Sequence, residues 1–366
     1  MVSFNIFSQK AGSPALNSGN SDSAGMDRQI SEKIKFLGFL LTCFIVVYHC
    51  PFMEKGLMQG AVDAAVCKLT EQVVLSMGIF AMCHFFAVTG YLLFQNFSLH
   101  TYPKKIKRRV SSLLIPYVIW QVLTAVLMVV FRVESISIHD FIRRTFLFIP
   151  YPYDGALWYV YAVFFLAILS PLLLPLLRSP KIGWGCMIAF FLLLELRDHV
   201  TAPVIVSFIR YGYVHHILYY LASYLAGCFF GKFGSALGRN KSLIYLLSAL
   251  VIALLLTGLL PGFFFNLTVR LLPLAVLYLL PPVPRLAKLP VLKLSFLVYA
   301  LHQPVIGIAE PVLRRVYGMV SFPACVCNLI TMSVVLAACL CLAAVAHRFL
   351  KRFAPLLLRL LTGGRF

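Results

Sequence analysis

Charge is what this sequence has least of. Only 12% of its 366 residues are Asp, Glu, Lys or Arg, and 61% are apolar. An ordinary soluble domain carries about 25% charged residues. No soluble fold of this size has interior enough for so much apolar side chain, so lipid must solvate the excess. Acidic residues are scarcest, 12 against 32 basic ones. The basic residues sit in short clusters between apolar runs, which reads as a topology signal facing anionic lipid headgroups rather than as a nucleic-acid footprint. Other signals are missing altogether. None of the ten cysteines forms a CxxC pair and no histidine pair has HxxxH spacing, so the spacing argues for neither a metal site nor a redox motif. Cys325 and Cys327 are too close for an unstrained disulfide. The rest, such as Cys43, Cys83, Cys186, Cys228, Cys339 and Cys341, read as small hydrophobes in apolar runs. Period-two alternation is absent, which excludes a lipid-facing barrel. Residues 1–30 lack the basic start and apolar core of a signal peptide and read as a disordered cytoplasmic leader. No internal repeat is visible.

What is present is a succession of apolar runs near the length of about 20 residues that a spanning helix needs. They cover roughly 34–52, 72–94, 110–131, 156–177, 182–196, 213–231, 242–260, 263–281, 291–309 and 322–346. The expectation is an all-α, polytopic membrane bundle of about ten transmembrane helices, because only helices and closed barrels satisfy their backbone in hydrocarbon. Lys and Arg decide orientation. Segments 1–35, 95–109, 178–182, 232–241, 282–290 and 347–366 hold 21 of them, and the opposite segments hold 9. The positive-inside rule then puts both termini in the cytoplasm, with 351–366 as a basic cytoplasmic tail.

Ionisable groups inside spans are expensive and mark candidate sites. His49 ends the first apolar run and precedes Cys50-Pro51; it is either a general base or a cation at a helix terminus. His84 and His302 lie mid-span, and His215 and His216 are adjacent; each is either functional or a packed, hydrogen-bonded histidine. Lys104, Lys105, Lys107, Arg108 and Arg109 lead into a helix. They read as a stop-transfer cluster or as a site for a polyphosphate such as a CoA nucleotide. Asp154, Glu195 and Asp198 are acids near the far ends of spans, any of which could orient a histidine. Trp120 and Trp158 read as interface-belt aromatics.

Taken in order, several segments resemble the acyltransferase family 3 membrane proteins over about residues 31–350. They are Val46-Val47-Tyr48-His49, Phe85-Phe86-Ala87-Val88-Thr89-Gly90, Lys105-Ile106-Lys107-Arg108-Arg109 with Leu114-Ile115-Pro116-Tyr117, Leu157-Trp158-Tyr159-Val160, Tyr219 to Lys232, and Ser295 to Pro304 with Tyr299 and His302. The resemblance implies an O-acyltransferase in a bacterial cytoplasmic membrane. It would use acyl-CoA, most often acetyl-CoA, as co-substrate with no bound cofactor, and a carbohydrate or lipid-linked glycan as acceptor. It makes His49 the catalytic residue and Arg108, Arg109 and Lys105 the acyl-CoA ligands. His84, Trp158, Tyr299 and His302 would line the site. One departure stands out. The family's arginine eleven residues before the histidine is Gly38 here, which leaves Lys35 or Lys33 to substitute. His49 lies about 21 Å along its helix from Lys35, in the far half of a hydrocarbon core about 30 Å thick. Two other classes stay open: a sugar or lipid transporter, and an inactive scaffold member of the family.

Overall fold

The computed structural model describes residues 19–51, 59–147, 152–196, 214–237, 261–319 and 322–365, with residues 240, 241, 243 and 246 besides. Among them there are helices and connections and no strand. The helices are α1 (Gly19–His49), α2 (Gly60–Phe94), α3 (Tyr102–Arg109), α4 (Ile115–Val130), α5 (Ile138–Leu147), α6 (Trp158–Leu169), α7 (Pro180–Leu196), α8 (Val214–Leu237), α9 (Pro261–Leu279), α10 (Ser295–Tyr317), α11 (Ala324–Phe353) and α12 (Pro355–Thr362). Five described stretches are long and apolar enough to cross a membrane: Gly60–Phe94, Tyr102–Val130, Gly155–Leu173, Pro290–Tyr317 and Ala324–Phe353. The expected span at 242–260 lies almost wholly outside the described residues. So do residues 1–18, Asp198 and the side chains of Glu195, His215 and His216.

The long central helix is α2, which packs against α1, α8, α9 and α11. Its seam with α8 is set by glycine. A Cβ on Gly227 would lie 1.9 Å from the Ala87 carbonyl oxygen, one on Gly231 2.3 Å from that of Tyr91, and one on Gly90 2.3 Å from that of Tyr224. Gly227-Cys228-Phe229-Phe230-Gly231 is therefore a GxxxG face, which lets two backbones touch where lipid offers no hydrophobic drive for helices to associate. Phe229 and Phe230, fully buried, fill the space beside the seam.

Polar anchors fix the other helices. The Asp63 carboxylate of α2 accepts from the backbone N–H groups of Ala324 at 2.9 Å and Cys325 at 2.8 Å, and so caps α11 from across the bundle. Arg270 of α9 is buried with its guanidinium 4.8 Å from the Tyr219 ring, which explains how that span tolerates a charge.

Two expectations need correction. Residues 19–30 belong to α1 rather than to an unstructured leader: Ile30, Ile34 and Leu37 continue the apolar face, and Arg28 pairs with Glu32 one turn on at 3.3 Å. Trp120 is no belt residue: it is buried, and its indole N–H donates to the Leu361 carbonyl at 3.0 Å. That carbonyl belongs to α12, which also buries Leu358 and Leu361.

Two stability outcomes follow, both read by thermal unfolding in detergent. Gly227→Leu should destabilise by about 3 kcal/mol or more, because α2 and α8 must part, whereas Gly38→Ala, with nothing within 4 Å of the new methyl, should be neutral. Asp63→Ala should cost about 1–2 kcal/mol through the lost cap of α11.

Candidate active site

A cavity of about 1560 Å³ opens between α1, α2, α3, α4 and the 284–296 segment. Its walls follow from helix periodicity. Along α1 it is lined by Lys35, Gly38 and Thr42, spaced three and four residues apart on one face, and His49 continues that face two turns further on. Along α2 the lining runs from Asn96 inward to His84. Tyr159 of α6 donates to the Phe85 carbonyl at 2.9 Å and shares a 2.8 Å hydrogen bond with Thr89. Thr42 reaches Ser295 at 2.9 Å, tying α1 to the start of α10.

The mouth is basic. Lys35, Lys104, Lys105, Arg108, Arg109, Lys232, Lys288, Lys293, Arg359 and Arg365 line the cavity, and no Asp or Glu does among the described residues. Not all of these cations face a ligand. Lys105 donates to the Leu93 and Gln95 carbonyls at 2.8 and 2.6 Å, capping the end of α2, and Lys232 donates to Leu177 at 2.6 Å. Lys33 is fully buried and donates to the last carbonyls of α9, Leu277 at 3.3 Å and Tyr278 at 3.5 Å. Lys105 and Lys33 are thus held as helix caps, while Lys35, Arg108 and Arg109 face the cavity.

The inner end holds imidazole and phenol groups. Tyr299 and His84 line it. Tyr299 donates its hydroxyl to the Ala156 carbonyl, and His302 Nδ1 meets the Tyr299 carbonyl. A carbonyl only accepts, so Nδ1 is the donor here, and in the neutral ring Nε2 is then the nitrogen with the lone pair. That nitrogen is buried and has no partner among the described residues. The half-buried His49 ring lies beside it, with centroids 5.1 Å apart. His49 and His302 therefore sit behind Tyr299 rather than in the cavity wall.

The family model for the acyltransferase domain matches residues 33–358. The chain belongs to acyltransferase family 3. No curated protein and no solved structure matches it. Within this family member, four of the segments that carried the resemblance meet at one place. The segment from Phe85 to Thr89, the Trp158-Tyr159 pair, the Ser295-to-His302 stretch and the end of α1 are joined by the contacts just described. Trp158 stands apart. At the start of α6 it packs against Phe86 and Tyr220, at 6.0 and 6.2 Å between centroids, and does not line the cavity. Asp154 is wholly buried, and its backbone exchanges two 3.1 Å hydrogen bonds with the Gln121 amide. Sequence reasoning missed Lys288, Lys293, Arg359 and Arg365. Pro355 and Gly363-Gly364, which mark a helix start and a turn back, were the available signal for the last two.

Methionine at Lys33 should lower stability by about 1–3 kcal/mol, since two buried carbonyls lose a charged donor. Methionine at Lys35 should stay within about 0.5 kcal/mol of wild type, again by thermal unfolding.

Proposed function

We propose that this protein is an integral membrane O-acyltransferase that moves an acetyl group from acetyl-CoA to a hydroxyl of a carbohydrate or lipid-linked glycan. One observation carries the reading. A single cavity has a carboxylate-free basic mouth and an inner end of imidazole and hydroxyl groups. A CoA thioester has the matching polarity, with phosphates at one end and a reactive carbonyl on a slim arm at the other. Arg108 and Arg109 present bidentate guanidinium groups to the phosphates, with Lys35 opposite on α1. The arm runs along Gly38, where the missing side chain leaves room, toward Thr42 and Tyr299.

His49 is the general base. Its imidazole takes the proton of the acceptor hydroxyl as that oxygen attacks the thioester carbonyl. The C–S bond then breaks, and the departing thiolate takes the proton from the imidazolium. His302, whose ring lies beside that of His49 at 5.1 Å between centroids, is in this reading the neighbour that orients the base toward the acceptor. In this reading the chain spans a bacterial cytoplasmic membrane ten times, with both termini inside. Apart from Lys293, the cations of the mouth come from segments 1–35, 95–109, 232–241, 282–290 and 347–366, all on the basic side by residue count, which supports that orientation.

The test is binding of acetyl-CoA to purified protein, followed by transfer. Arg108→Ala/Arg109→Ala should weaken binding by about 10- to 100-fold. His49→Ala should keep binding and lower transfer by about 10²- to 10⁴-fold. Unchanged transfer by a correctly inserted His49→Ala protein would sink the assignment.

A further inference from the structure

One wall of the cavity mouth comes from a segment that composition alone marks only as basic. After α11 ends at Phe353, Ala354 leaves the helical region at φ −145° and Pro355 opens α12. The new helix lies against α4, where Trp120 holds the Leu361 carbonyl. Just beyond it Gly363 adopts φ +62° and rests on Ser112, so closely that a Cβ would lie 2.4 Å from the Ser112 carbonyl oxygen. Pro116 prepares that seat. It has no N–H to give the carbonyl four residues back, and the helix widens to a π turn over Val110–Leu114. The half-buried Ser112 is where the returning chain lands.

The turn carries Arg365 into the cavity. Its guanidinium lies 4.7 Å from the centre of the Phe296 ring, and both residues line the cavity with Arg108 and Arg109. Stacking fixes the guanidinium plane and leaves its N–H edges for an in-plane acceptor. Burial pushes the Arg365 pKa down to about 10; the Tyr159 hydroxyl acts the other way, and the Arg109 charge adds to the fall. Like charges gathered in a partly dehydrated wall are costly without a counter-ion. No carboxylate among the described lining residues provides one.

We infer that residues 354–365 form a latch that brings Arg365 to face Arg109 across a phosphate-ester site at the cavity mouth, so that the donor's diphosphate is gripped from both sides. This rests on the donor reading above and adds a second, separately placed guanidinium. It also accounts for a mouth whose α1 wall offers one cation, Lys35, among the described lining residues. The same chemistry would hold the headgroup of an anionic lipid, and the two sources are separable.

The full-length protein in neutral detergent is titrated with coenzyme A, with inorganic pyrophosphate as competitor. A parallel arm measures its binding to phosphatidylglycerol in neutral nanodiscs. Arg365→Gln should weaken coenzyme A binding at least tenfold and reduce competition by pyrophosphate. Gly363→Leu keeps Arg365 but cannot seat on Ser112, and should give the same loss. Arg352→Gln, exposed on α11 outside the cavity, should bind as wild type does, and unchanged melting temperatures exclude misfolding. Full coenzyme A affinity in both latch variants overturns the inference and leaves the donor reading intact. If wild type binds phosphatidylglycerol or pyrophosphate through Arg365 but not coenzyme A, the donor reading falls and the phosphate-ester site stands. Binding of none of the three overturns both.

Discussion

The structure depends first on the contact of two backbones. In lipid there is no hydrophobic gain from pressing one apolar helix on another, so association rests on close packing and interhelical polar contacts. Gly227, Gly231 and Gly90 remove every atom that would keep α2 and α8 apart. With that seam closed, α2 becomes a fixed post. Its other faces then set α1, α9 and α11, and its C-terminal turns from His84 to Leu93 become one wall of the cavity.

Around that post, cations do two different jobs. Lys33, Lys105 and Lys232 spend their protons on backbone carbonyls, two of them at helix ends, where a positive charge offsets the exposed negative end of the dipole. Arg108, Arg109 and Arg365 are held in the wall without such carbonyl partners among the described residues, by stacking or by the helix they stand on. The division is chemical. A lysine ammonium is a compact donor suited to a carbonyl, and a guanidinium is a flat fork suited to a phosphate. It follows that the count of basic residues at the mouth overstates the number available to a ligand.

Much of this was legible in the residues. The all-helical membrane class, the family, and the convergence of Arg108, Arg109 and Lys35 followed from apolar run length, charge poverty and motif order. Residues acting through tertiary contacts were not legible. Lys105 and Lys35 look alike as basic residues near helix ends, and only the position of the α2 terminus makes Lys105 a cap. Trp158 looks like a site aromatic in the linear motif, yet the start of α6 turns it onto Phe86 and Tyr220. Arg365 looks like one more topology charge until Gly363 lands on Ser112.

By itself, then, the sequence determined the solvent the protein folds in, the helix as its element and the family to which it belongs. Each of these depends on local quantities: hydropathy over about 20 residues, the sign of nearby charge, and short ordered motifs. Only the tertiary structure decided which polar groups meet. It placed His302 beside His49, put Tyr299 between that pair and the cavity, and folded residues 354–365 back onto α4. Such pairings join residues far apart in the chain, and they are fixed by where glycine and proline let helices approach or turn, which no local pattern encodes.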